Sequence, residues 1–157
     1  MLTNRYLRAA VYTLAGMMIV LPMFETLMSA WPIQMGETNW RFGIVGLLSR
    51  ASFTPLLGVL LLVAVAAAYE LQTLLRILSI ASGVLTAAVL GILPLFSWDA
   101  SKVRGQVRGE AEFAFDLASG LVVLRLIGVA AVLVFFALGC RGVLRSLERK
   151  ARSRARD

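Results

Sequence analysis

The sequence predicts an all-α fold: an integral membrane four-helix bundle with both termini on the cytoplasmic side. Three observations lead there. Of the 157 residues 59% are apolar, and the mean hydropathy is +0.82, which exceeds what a soluble domain of this length shows. Four apolar segments, 9–29, 51–69, 77–98 and 117–140, have the length to span a membrane. A helix rising about 1.5 Å per residue needs about 20 residues to cross a hydrocarbon layer of ~30 Å. Runs such as "LLGVLLLVAVAAA" do not alternate as membrane strands would. Lipid offers backbone groups no water, so each segment must satisfy its own hydrogen bonds as a helix.

The first segment follows Arg5 and Arg8 and resembles a signal peptide in outline. Its apolar run is longer than a usual signal core, and Met28 is a poor residue before a cleavage site, so it is expected to remain as a helix. Pro22 removes a backbone donor there and predicts a kink. Glu25 lies about one turn inside the boundary, where a carboxylate needs a partner, a proton or water.

The loop that follows, "WPIQMGETNWRFG", places Trp31, Pro32, Trp40, Arg41 and Phe42 around a short polar turn. Tryptophan collects at headgroup level because its ring is apolar while its N–H stays wet. The loop therefore reads as an interfacial anchor or docking surface, and "GIVGLLS" after it as a short interfacial helix. Only Glu37, Asn39 and Arg41 offer reactive groups, which is too few for a catalytic site.

The second segment opens "RASFTPLLG", with Ser52 or Thr54 available as a cap and Pro55 suited to a first helical turn. It closes near Tyr69, Glu70 and Arg76, a tight turn that predicts an antiparallel hairpin with the third segment. In that segment Ser79, Gly83, Ala87 and Gly91 recur at every fourth position. Such a small-residue stripe lets membrane helices approach closely. It is expected to serve packing within the chain, and otherwise a partner subunit.

In the next loop Arg104, Arg108, Glu112 and Asp116 are spaced four apart, opposite an apolar stripe, which predicts an amphipathic helix before the fourth span, lying on the outer surface or extending that span outward. Gly105 and Gly109 weaken it. The fourth segment carries Arg125 one to two turns from its edge. Its long stem can snorkel to the headgroups. Glu25 lies at a comparable depth, so Glu25 and Arg125 are the candidate intramembrane ion pair, clasping the first span to the fourth.

Basic residues set the expected topology. Ten fall with the termini and the 69–76 turn, against five in the other two loops, so both termini are expected in the cytoplasm. The tail residues Arg141, Arg145, Arg149, Lys150, Arg152, Arg154 and Arg156 are expected to contact anionic lipid, at about 1 kcal/mol each near the surface. A pI near 10.8 is thereby explained without nucleic acid. There is no histidine, which removes the commonest metal and haem ligand and the usual general base. No metal, cofactor or catalytic residue is expected. Cys140 stands alone, so no intramolecular disulfide can form.

The order Trp31-Pro32, Trp40-Arg41-Phe42 and Pro55-Leu56-Leu57-Gly58, followed by a polar loop with Gln106 and Arg108, resembles the HpsJ-like small bacterial four-span proteins. The resemblance implies an accessory role in an envelope or membrane complex, in the bacterial inner membrane, and defines no catalytic residues. Three function classes follow. The leading expectation is a non-enzymatic accessory or assembly subunit whose partners are lipid and other membrane subunits. The alternatives are a small oligomeric transporter or channel using Glu25 and Arg125, and a membrane enzyme acting on lipids or thiols.

Overall fold

The computed structural model of the chain describes residues 2–109 and 111–154. Five helices make up nearly all of it: α1 (Leu2–Ser29), α2 (Thr38–Ala51), α3 (Phe53–Ala68), α4 (Gln72–Arg104) and α5 (Ala111–Arg154). There is no strand among the described residues. α1, α4 and α5 each hold a stretch long and apolar enough to cross a membrane, and α2 with α3, bent by 43°, would make a fourth. The architecture is that of a helical membrane protein. One end of the molecule, the loop end, carries the 30–37 and 105–109 connections, and the other, the terminal end, carries the start of α1, the α3–α4 turn and the end of α5.

The central unit is the antiparallel pair α4–α5. On α5 the covered positions are Leu126, Ala130, Leu133, Ala137, Cys140, Leu144 and Leu147; on α4 they are Leu75, Ser79, Ser82, Thr86, Val89, Leu93 and Phe96. Both sets step by three and four residues in turn, the spacing that keeps one seam facing its partner. Small and hydroxyl-bearing residues in the seam allow close contact where no hydrophobic force acts between helices. Ser79 donates its hydroxyl to the Ala137 carbonyl at 3.3 Å, and the Thr86 hydroxyl is satisfied within its own helix by the Ser82 carbonyl.

This seam corrects the small-residue stripe. Ser79 is buried in it, but Gly83, Ala87 and Gly91 are exposed. A strict spacing of four advances about 40° beyond a full turn at each step. By Gly91 the stripe has rotated about 120° away from the contact that Ser79 makes.

α1 packs on α3, more lightly on α2, and approaches neither α4 nor α5 among the described residues. Its covered stripe runs through Ala15, Ile19, Pro22, Thr26 and Ala30. Gly58 makes that packing possible: a Cβ there would lie 2.8 Å from the Ala15 carbonyl oxygen and 2.8 Å from Ile19 Cγ1. α3 turns back at Tyr69 and Glu70. The Leu71 N–H donates to the Ala66 carbonyl at 2.9 Å and the Glu70 N–H to Ala67 at 3.2 Å. Glu70 takes the left-handed conformation, φ 53°, that such a helix ending requires. The tight turn forms as expected, but α3 and α4 touch far less than α4 touches α5 or α3 touches α1.

Several local expectations change. The helix before the break starts at Thr38, so Trp40, Arg41 and Phe42 are helical and not part of a loop. Ser52 does not cap α3; its hydroxyl bonds back to the Leu48 carbonyl. The bend lies beside Pro55, whose missing N–H leaves the Ala51 carbonyl without its usual donor. Among the described residues no separate amphipathic helix lies before the fourth span; Arg104 ends α4, while Glu112 and Asp116 belong to the start of α5, which extends that span outward. α4 runs on to Arg104, residues 105–109 form a turn, and Gly109 sits at φ 69°. The basic tail is no separate segment either, because α5 continues through it to Arg154. Val143, Leu144 and Leu147 extend the core around Ala66, Leu75, Leu78 and Cys140. Arg141, Arg145, Arg149 and Arg152 are exposed. The side chains of Arg5, Arg8, Lys150 and Arg154, and all of Arg156, lie outside the described residues.

Candidate functional site

At the loop end three consecutive residues of α2 tie it to the end of α1, to α4 and to α5. The Trp40 indole N–H donates to the Ala30 carbonyl at 3.0 Å, closing the 30–37 connection onto the end of α1. Arg41 reaches α4: its Nε donates to Asp99 Oδ2 at 2.8 Å and its Nη2 to Oδ1 at 2.7 Å. Its Nη1 donates to the Met35 carbonyl at 2.8 Å. Phe42 stacks between Phe96 of α4 and Phe115 of α5, with ring centres 5.1 and 5.3 Å away. A helix can do this because successive side chains leave it about 100° apart.

The Arg41–Asp99 pair is planar and two-pronged, the strongest geometry available to an ion pair. Its partners differ in exposure, with the Asp99 side chain at 7% and that of Arg41 at 38%. The carboxylate is the desolvated member and depends on the guanidinium. The guanidinium retains contact with its surroundings and a second acceptor. Across the other connection, Arg104 Nη2 meets Asp116 Oδ2 at 2.8 Å in an exposed pair. Lys102 Nζ lies 5.4 Å from the centre of the Trp98 ring, within cation–π range.

The predicted site residues therefore divide. Trp40, Arg41 and Phe42 turn inward as a structural clasp, while Trp31 and Pro32 face outward, Trp31 with 73% of its surface exposed. Ile33, Met35, Leu95, Trp98 and Phe113 are exposed with it. Glu25 and Arg125 are not brought together. Both are exposed, no ion pair links them among the described residues, and their helices do not approach each other. The reason is azimuth. Glu25 precedes the buried Thr26 and Arg125 precedes the buried Leu126, so each points about 100° away from its helix's packed stripe.

Asp99, Phe96 and Phe115 are members of the clasp that sequence reasoning missed. Asp99 directly follows Trp98 at the end of an apolar run, a position that reads as an ordinary headgroup-level acid. Nothing along the chain signals that an arginine 58 positions away reaches it. The clasp holds four chain segments in a fixed relation, and its polar atoms are spent on one another. Among the described residues no group of three or more cysteine or acidic side chains is placed to hold a metal. No family model matches the chain, and no curated protein or solved structure matches it.

Proposed function

We propose that the chain is a non-enzymatic accessory or assembly subunit of a larger membrane complex, docking through its transmembrane helices and its loop end. The observation that carries this reading is the division of the loop end. Trp40, Arg41, Phe42 and Asp99 are engaged in the internal clasp, while Trp31, Met35, Leu95, Trp98 and Phe113 present apolar surface outward. A rigid platform with exposed aromatic side chains suits binding to a neighbour. In this reading α2 and α3 form the second of four spans in a bacterial inner membrane. Both termini are cytoplasmic, which the ten-to-five distribution of basic residues supports. The resemblance to HpsJ-like proteins agrees with an accessory role.

A transporter built on Glu25 and Arg125 has less support, because the two side chains are apart and their helices do not approach each other among the described residues. The test is purification from gently solubilised native membrane, with mass spectrometry of what comes with it. Stable co-purification of one or more membrane proteins at fixed ratio, lost on changing Trp31 and Trp98 to serine, is the expected result. Recovery as a lone monomer overturns the reading.

A further inference from the structure

A cavity of about 500 Å³ opens between the α2–α3 break and α5, and two arginines stand on its wall, Arg50 from α2 and Arg125 from α5. Phe53, Leu56, Val129 and Val132 make most of the remaining wall apolar, and the hydroxyl of Ser49, also on it, is satisfied within α2 by the Gly46 carbonyl. No carboxylate lines it, and neither arginine has an ion-pair partner among the described residues. Two cations on an apolar groove in a membrane-spanning region are costly if left unmatched.

Their depth points to the nature of the counter-charge. Each arginine lies nine positions from an ion-paired residue at the loop end of its own helix, Arg50 from Arg41 and Arg125 from Asp116, or about 14 Å toward the terminal end. Arg125 stands eight residues, about 12 Å, inside the 117–140 segment, and Arg50 directly precedes the 51–69 segment. Long arginine stems extend toward the nearer interface. The two guanidinium groups can therefore meet the phosphates of the loop-end leaflet, with the apolar wall continuing into the acyl region.

We infer that this groove binds an anionic phospholipid, its phosphate held between Arg50 and Arg125 and an acyl chain lying along Leu56, Val129 and Val132. Guanidinium matches phosphate oxygens in fork geometry. A net charge of two positives with no acid nearby selects an anionic headgroup, because the ammonium of a zwitterionic lipid finds no partner there. The site is separate from the basic end of α5, which lies at the opposite level of the molecule.

The experiment is native mass spectrometry of the full chain in mild detergent, titrated separately with phosphatidylglycerol, phosphatidylcholine and inorganic phosphate. One phosphatidylglycerol should be retained at least tenfold more strongly than phosphatidylcholine, and inorganic phosphate should leave no adduct. Arg50→Gln and Arg125→Gln should each weaken retention about tenfold, the equivalent of one charge-assisted hydrogen bond, and the double variant should lose the preference. Gly128→Leu keeps both charges and places a side chain on the same wall, where an added Cβ meets nothing within 4 Å. It should displace the lipid while the fold persists, so it carries the test even if an arginine variant fails to fold. Neutralising Arg145, Arg149 and Arg152 should leave the adduct in place. Equal retention of the two lipids, a preference that survives in the double variant or in Gly128→Leu, or inorganic phosphate binding as well as the lipid would each overturn the proposal.

Discussion

Gly58→Ala adds a single carbon where the structure leaves no room for one. The new Cβ would lie 2.8 Å from the Ala15 carbonyl oxygen, 2.8 Å from Ile19 Cγ1 and 3.2 Å from Met18 Cβ. Ordinary contact begins near 3.4 Å, so α1 must retreat by roughly 0.5 Å along the contact. The carbonyl belongs to a helix backbone and cannot rotate aside. A gap of that size forfeits about a quarter of the dispersion attraction for neighbouring contacts, and overpacking of this kind costs about 1–3 kcal/mol. Gly58→Val, with two further methyl groups on a stiff side chain, should exceed that range. α1 is exposed to this change because α3 is its main partner, with a smaller contact to α2. Reversible unfolding in mixed detergent micelles, followed by circular dichroism, should show the loss, and hydrogen exchange should place it in α1. Gly83→Ala and Gly91→Ala are the controls, since nothing lies within 4 Å of a Cβ at either position. Both should be neutral or slightly stabilising, as alanine is the better helix former. If Gly58→Ala behaved like these controls, the close approach of α1 and α3 would be refuted.

Further outcomes are expected at the loop end. Arg41→Met should destabilise more than Asp99→Asn, because it strands a buried carboxylate while the reverse change leaves an arginine still bonded to Met35. The Arg41→Met/Asp99→Leu double variant should recover part of the loss in thermal unfolding; additive losses would argue against the pair. Phe42→Ala should cost about 2 kcal/mol in the same assay, below the ~3–5 kcal/mol of a fully buried phenylalanine, because this ring is only partly covered. Gly109→Ala, at φ 69°, should destabilise by about 1 kcal/mol and speed amide exchange across residues 105–109. Unchanged exchange there would contradict the left-handed conformation. Glu25→Gln with Arg125→Gln should show no coupling in a double-mutant cycle, since the two side chains do not meet.

Much of the fold was legible in the sequence. The apolar runs at 9–29, 77–98 and 117–140 are helical as read, and Tyr69–Glu70 is a turn. Even the α4–α5 seam is present in the sequence as apolar and small residues stepping by three and four, although the strict four-residue stripe through Gly83, Ala87 and Gly91 is the more regular pattern. The site was less legible. Trp40, Arg41 and Phe42 were recognised as the important residues of the first connection, but as an outward anchor. Their partners Ala30, Asp99, Phe96 and Phe115 come from other elements, at sequence separations no local pattern encodes.

Length and apolarity along the chain determined that these segments are helices immersed in lipid, because an unsatisfied backbone cannot persist there. They also determined how far each charge lies from a helix end. Which way each side chain points, and what it meets, was decided only when the helices packed. Periodicity places a residue on its own helix, but the neighbour on that face depends on the order in which helices assemble and on which surfaces fit closely. Glu25 and Arg125 show this: each stands about 100° from the packed stripe of its own helix, and α1 packs on α3 and α2 without approaching α5 among the described residues.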